Sequence, residues 1–212
     1  MLVWIDFTCP FCYVGMNRLL PLLKETNLDL KVEIKSFLLH PDVKNGTGYI
    51  KNLSEKYNIS YEKAENMTYG VINLAKEDDI ELDFTKLKEL NTLNVHKVVK
   101  HFSDSEKLYD LILKIFEKYF LEYKNISNLN VLEDILNELD LDSSNLKEIL
   151  KDEQYTEKIN QDIYQASTFK IESVPVIVLR NGKKYTGSRT KSDYLKIFME
   201  AIGIEKERKE NE

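Results

Sequence analysis

Cys9-Pro10-Phe11-Cys12 follows a short apolar run, Leu2-Val3-Trp4-Ile5, and precedes a helical pattern carrying Val14, Leu19, Leu20, Leu22 and Leu23. No other feature restricts the chain as much, because a strand, a turn and a helix meeting here place both sulfurs at one helix N-terminus. Backbone N–H groups at that end lack intrahelical partners and, with the helix dipole, favour negative charge. The first sulfur is thereby drawn toward its thiolate, the form that attacks disulfides and departs from them. Cys12, one turn inside the helix and on its inner side, is placed to resolve a mixed disulfide on Cys9. Pro10 suits the first helical position, where an N–H is dispensable, and stiffens the loop.

Two other accounts of the pair stay open: small buried hydrophobes, or half of a zinc site. Zinc would need two more ligands, and the remaining candidates are His40, His96 and His101, which supply no second closely spaced pair of metal-site type. Met1 to Asp6 has neither the basic start nor the long apolar stretch of a secretory leader. Nowhere do roughly 18 apolar residues run together, so no membrane span is expected and the reading is cytoplasmic. In a reducing compartment a close Cys pair is more often redox-active or metal-binding than structural. A formal charge of -6, with Lys and Glu interspersed, leaves no basic stripe for nucleic acid.

At 212 residues the chain can bury a core without staples. Leu30 to Leu38 alternates apolar and charged residues with the period of a strand, so a βαβ unit opens the chain. From about Pro41 to Ser167 the pattern is helical. Ser103 and Glu106 read as a capping box ahead of Leu108, Ile112, Ile115, Phe116, Tyr119 and Phe120. Further stripes run through Leu132, Ile135, Leu136 and Leu139, then Leu146, Ile149 and Leu150. Val176 to Leu179 reads as a strand, Asn181-Gly182 as a hairpin turn and Lys183 to Thr186 as its return. An amphipathic helix over Tyr194 to Ile202 precedes a charged tail, Glu205 to Glu212, expected to fray.

The order predicts an α/β, thioredoxin-like fold with a large all-helical insertion. Residues 1–44 and 165–212 would form the discontinuous thioredoxin-like domain, and residues 45–164 the insertion. Pro175 stands at the head of a strand, where a residue without an N–H is tolerated. With a Cys-Pro-x-Cys motif upstream, it also falls where thioredoxin-like proteins carry a cis peptide bond facing the cysteines. Val174 would then offer its backbone groups to an extended substrate peptide.

Four segments together resemble the DsbA family, within it the cytoplasmic FrnE-like branch. Cys9-Pro10-Phe11-Cys12-Tyr13-Val14-Gly15 is similar to that branch's Cys-Pro-Trp-Cys-Tyr-Ile-Gly. Ser36-Phe37-Leu38-Leu39-His40-Pro41 resembles its second-strand exit, usually Leu-Asn-Pro. Asn91-Thr92-Leu93-Asn94-Val95-His96 is similar to its Asn-Thr-x-x-Ala-His helix start, and Ser173-Val174-Pro175 falls where it has Gly-Val-Pro. The resemblance implies that Cys9 is the exposed nucleophile with Cys12 its partner, and that Asn91, Thr92 and His96 lie on a helix walling the cleft. That helix also has a plainer account, with Asn91 as N-cap and Val95, Val98, Val99 and Phe102 as a core stripe. Gly187-Ser188-Arg189 departs from the branch's Gly-Ala-Gln, and Lys170 and Ser173 replace glycines of the loop.

The resulting expectation is a protein-disulfide oxidoreductase acting on protein or low-molecular-weight thiols and disulfides. It needs no metal or organic cofactor, with glutathione open as a co-substrate, and works as a monomer or homodimer. One alternative is a glutathione-dependent transferase or isomerase of the kappa and hydroxychromene-carboxylate-isomerase type, though those usually carry Ser at the first cysteine. The other is a binding or chaperone module whose cysteines sense oxidation.

Overall fold

The apolar run after Met1 forms β1 (Leu2–Ile5), in which Val3, Trp4 and Ile5 are fully buried. Such a continuous apolar stretch is what a strand covered on both faces requires. The computed structural model describes residues 1–43 and 46–211, with side chains described to residue 203. Helix α1 (Pro10–Thr26) follows, continuing through Pro21. Strand β2 (Glu33–Ser36) then pairs parallel to β1, setting Val3 opposite Ile34. The alternating pattern of residues 30–38 promises a longer strand. The ladder stops where β1 ends, because only Leu2 to Ile5 are there to pair with Glu33 to Ser36.

After the helical segment, α8 (Glu153–Thr168) leads to β3 (Val176–Val178), which runs antiparallel to β1 on its other side. Strand β4 (Lys184–Thr186) pairs antiparallel to β3, and α9 (Lys191–Asn211) closes the chain. The hairpin turns at Gly182, whose φ of 85° is the left-handed conformation that glycine adopts freely. Helix α9 begins before Tyr194 and extends past Ile202; the side chains of the charged tail, and the fraying expected there, lie outside the described residues. The sheet order is β2-β1-β3-β4. This α/β arrangement is a thioredoxin-like fold, with helices inserted between β2 and β3.

Asp162 of α8 binds that helix to the sheet. Its carbonyl accepts Trp4 Nε1–H at 3.0 Å, its Oδ2 accepts the Ser36 N–H at 2.8 Å, and its Oδ1 lies 3.1 Å from Lys35 Nζ. The carboxylate thus occupies an outward N–H of edge strand β2, which would otherwise invite another chain to pair.

Two compact units emerge, Met1–Phe37 with Ile159–Glu212, and Leu38–Lys158. Both divisions fall before the boundaries expected from the sequence, at residues 44 and 164. The second unit contains α2 (Tyr49–Tyr57), α3 (Tyr61–Lys76), α4 (Leu93–His101), α5 (Leu108–Phe120), α6 (Leu129–Glu138) and α7 (Leu146–Lys151). Its core is built on Ile112, Ile115, Phe116, Phe120, Ile135 and Leu136, all fully buried. Two lysines close helix ends from a distance: Lys107 Nζ donates to Leu139 O at 2.7 Å and Lys97 Nζ to Leu150 O at 2.9 Å, where unpaired carbonyls favour cations.

Ser103 and Glu106 do not form the expected capping box. The chain instead turns through Ser105 N–H to Phe102 O and Leu108 N–H to Ser105 O, and α5 starts only at Leu108. Among the described residues no helix is long and apolar enough to cross a membrane.

Candidate active site

Between β1 and α1 the chain makes one tight turn. Asp6 Oδ1 accepts the Thr8 N–H at 2.7 Å and the Thr8 hydroxyl at 2.6 Å, and the Cys9 N–H donates to Asp6 O at 3.2 Å. That turn delivers Cys9 as the N-cap of α1, in extended backbone conformation, with Pro10 at the first helical position. Cys9 Sγ accepts the Cys12 N–H at 3.4 Å, so a sulfur does the work that a Ser or Asp oxygen usually does at a helix start. Both cysteines are free thiols; Cys12 is fully buried, Cys9 is 4% exposed, and Phe11 between them is 44% exposed.

The loop before β3 comes back to this turn. The Val174–Pro175 peptide bond is cis, and the Cys9 thiol donates to Val174 O at 3.3 Å. Pro175 O accepts the Gly187 N–H at 2.8 Å, which anchors the loop to the residue just after β4. Cys9, Pro10, Phe11, Cys12, Val174 and Pro175 therefore belong to one unit and one corner of it.

Burial pushes the Cys12 thiol well above its ordinary range. Contact with Cys9 adds to that rise, as does the charge of Asp6, and the Asp6 backbone offsets part of it. Cys12 is thus held as a thiol, which suits a resolving cysteine that must stay silent until a mixed disulfide forms.

Three contributors to this corner carry no signal in the pattern of residues. Asp6 reads as a strand end, yet it is fully buried behind the cysteines. Gly15 lets α1 come close: a Cβ there would stand 3.1 Å from Tyr194 Oη, 3.5 Å from Pro175 Cγ and 3.7 Å from Ser188 Oγ. Tyr194 reads as one more apolar position of α9, but its hydroxyl accepts the Arg189 N–H at 3.3 Å, and burial raises its pKa to about 12.

Cys12 and Tyr194 are both held protonated by the fold, so their contribution to stability is complete below their unfolded pKa values and is lost as pH rises. For Tyr194 that window runs from its ordinary 10.0 to about 12, with Cys12 contributing from its ordinary 9.0 upward. Urea midpoints of the reduced protein should fall steeply from pH 9 to 11. Tyr194→Phe should flatten the upper part of that fall, by about 1–2 kcal/mol at pH 11.

Asn91, Thr92 and His96 lie in the second unit. Thr92, not Asn91, is the N-cap of α4; Asn91 precedes it, with Oδ1 accepting the Leu93 N–H at 2.9 Å and Nδ2 donating to Pro41 O at 2.6 Å. Thr92 and His96 are buried, and so are Lys97, Val98 and Val99 around them. Among the described residues no group of three or more His, Cys, Asp or Glu side chains is placed to hold a metal ion.

The family described as DSBA-like thioredoxin domain matches this chain over residues 1–197. The uncharacterized protein YwbO of Bacillus subtilis is 22% identical over 179 residues, 84% of each chain. Among solved structures, the probable DsbA oxidoreductase SCO1869 of Streptomyces coelicolor superposes with a TM-score of 0.83 at 20% identity, over 95% of this chain and 89% of that one. The cytosolic disulfide reductase DsbM of Pseudomonas aeruginosa gives 0.67 at 12% identity, over 96% and 98%. A 2-hydroxychromene-2-carboxylate isomerase gives 0.66 at 16% identity, over 100% and 98%. At these identities the structures share the fold with this chain.

Proposed function

The chain belongs to the DsbA-like thioredoxin-domain family, and we propose that it is a thiol–disulfide oxidoreductase cycling Cys9 and Cys12 between dithiol and disulfide. The observation that carries this reading is the pairing of Cys9 at the N-cap of α1 with a buried thiol, Cys12, donating its N–H to the same sulfur. In the reductive direction the Cys9 thiolate attacks one sulfur of a substrate disulfide, and the other sulfur leaves as a thiolate. Cys12 gives up its proton and attacks Cys9 Sγ, expelling the second substrate sulfur. Two electrons have then passed to the substrate, and the protein holds a Cys9–Cys12 disulfide. A thiol of the next partner restores it by the same steps reversed.

Substrates are protein or low-molecular-weight thiols and disulfides. The structure of DsbM solved with glutathione makes that tripeptide a natural co-substrate to assay here, and DsbM's cytosolic setting supports a cytoplasmic role. The isomerase-type alternative draws support from the fold it shares with this chain, but it leaves Cys12 without a task.

The test equilibrates the protein against glutathione buffers and traps free thiols. The expected result is one reversible two-electron transition involving both cysteines. A midpoint near about -270 mV would make it a reductase, and one near about -120 mV an oxidant. Thiols that never pair at any poise would overturn the reading.

A further inference from the structure

We propose that the second unit carries a binding site for a small aromatic carboxylate, in a cavity of about 340 Å³ where the end of α5 meets the segment before α4. Its lining residues all belong to Leu38–Lys158. The site is thus built without the cysteines and their turn, and it does not depend on disulfide exchange.

Apolar residues form the floor: Leu87, Leu90 and Tyr119 line the cavity and are at most 3% exposed. The wall above them is fixed before any ligand arrives. Tyr49 N–H donates to Leu87 O at 2.9 Å, Glu89 N–H to Thr47 O at 2.8 Å, and the Tyr119 hydroxyl to Lys88 O at 3.0 Å. A preformed apolar pocket with a few placed polar groups is the usual form of a small-molecule site. This volume lies at the low end of the range, with room for about one or two rings.

Tyr123 adds an aromatic wall at a conformational cost. Helix α5 ends at Phe120, and the chain turns back so that Lys124 N–H donates to Lys118 O at 2.9 Å. Within that turn Tyr123 is left-handed, with φ 56°, where glycine fits without strain. Asn27, Asn58, Asp79 and Asp140 share the conformation, which short Asn and Asp side chains tolerate, but a bulky aromatic residue there is an outlier. Its ring lines the cavity, and Lys86 Nζ stands 5.0 Å from the ring centroid. A tyrosine where glycine would cost less gives the ring a task beyond the turn.

The polar lining is cationic. Lys88, Lys124 and Asn125 supply it, and among the described residues no carboxylate joins them. The acids close by in the sequence are already engaged: Asp83 with Lys86 at 3.0 Å, Glu89 with His40 at 3.2 Å, Glu122 with Lys118 at 3.0 Å. Lys88 and Lys124 have no ion-pair partner among the described residues. Asn125 Oδ1 accepts the Ser127 N–H at 3.0 Å, which leaves its amide donors unspent. Two ammonium groups and an amide beside an apolar floor suit an anion joined to a flat ring. A bare inorganic anion would leave the floor uncovered, and a neutral ring would leave the lysines unanswered.

The probe is naphthalene carboxylate, titrated at low salt into the reduced full chain and followed by amide chemical shifts. Saturable shifts should cluster at residues 87–90 and 119–125, with a Kd of about 1 mM or below, as expected for about a dozen non-hydrogen atoms. Added salt should weaken binding. The neutral carboxamide of the probe, and acetate, which lacks the rings, should each bind at least about tenfold more weakly. Lys88→Gln combined with Lys124→Gln, at exposed positions, should lower the affinity about tenfold, the sum of two partly screened charge contacts. Tyr123→Gly suits the turn, so it should keep a cooperative urea transition while losing affinity to a similar extent; if it fails to fold, the lysine pair decides. Shifts that do not saturate or that fall elsewhere, equal binding of the carboxamide or of acetate, or unchanged affinity in the lysine double variant would each overturn the proposal. None of these readouts passes through the cysteines, so this site and the oxidoreductase reading fail independently.

Discussion

Cys9→Ser is expected to lower disulfide exchange by more than about a thousandfold, because a serine hydroxyl is almost never ionised at neutral pH and oxygen cannot take part in the sulfur exchange. Cys12→Ser should behave differently. Its Cys9 still attacks, so a mixed disulfide forms at a near-normal rate and then persists, detectable as a covalent adduct by mass spectrometry under non-reducing conditions. Wild type should show that adduct only fleetingly. The pair of outcomes assigns attack and resolution to separate sulfurs, which a loss of activity in both variants would not do. If Cys9→Ser kept its activity in a chaperone assay while losing exchange, the cysteines would be sensors on a binding module.

The contrast between what the sequence makes legible and what it hides follows the range of the interactions. The strand, the Cys-Pro-Phe-Cys turn and α1 are contiguous, and each announces itself by composition: an apolar run, a proline at the first helical position, a stripe of leucines. The hairpin around Gly182 is equally local. Asp6 is invisible because a carboxylate after a strand normally marks the return to solvent, whereas here two bonds from Thr8 keep it inside. The approach of Tyr194 to Gly15 joins residues from opposite ends of the chain, and no periodicity encodes it. Helix α4 misleads for another reason. Val95, Val98 and Val99 suggest a single core face, but His96 and Lys97 are buried too, so the helix is enclosed nearly all round and its polar residues lie inside with the apolar ones. In α5 the capping-box spelling at Ser103 and Glu106 loses to a succession of turns through Ser105, whose backbone bonds carry the chain to Leu108 before the helix starts.

Asp6 carries the second large expected effect. Cys12 is held as a thiol by burial, so the resolving step needs a group to take its proton, and Asp6 is a fully buried carboxylate whose charge is felt at that sulfur. Asp6→Asn preserves the shape of the turn, since an amide oxygen can still accept from the Thr8 N–H and hydroxyl, but it removes the base. Resolution of a preformed mixed disulfide should slow by about 100-fold at pH 7, the lower end of what a positioned general base contributes. Attack by Cys9 should change much less, so the rate-limiting step moves and the adduct seen with Cys12→Ser becomes visible transiently in Asp6→Asn. A merely structural role for Asp6 predicts the opposite pattern, with both steps slowed together alongside a loss of stability in urea. The pH profile separates the two further. In Asp6→Asn the proton must pass to solvent hydroxide, so resolution should accelerate about tenfold for each unit of pH between 7 and 9, while the wild-type rate rises less steeply. A wild-type profile as steep as the variant's would remove Asp6 from the proton path and leave it as a residue that only shapes the turn.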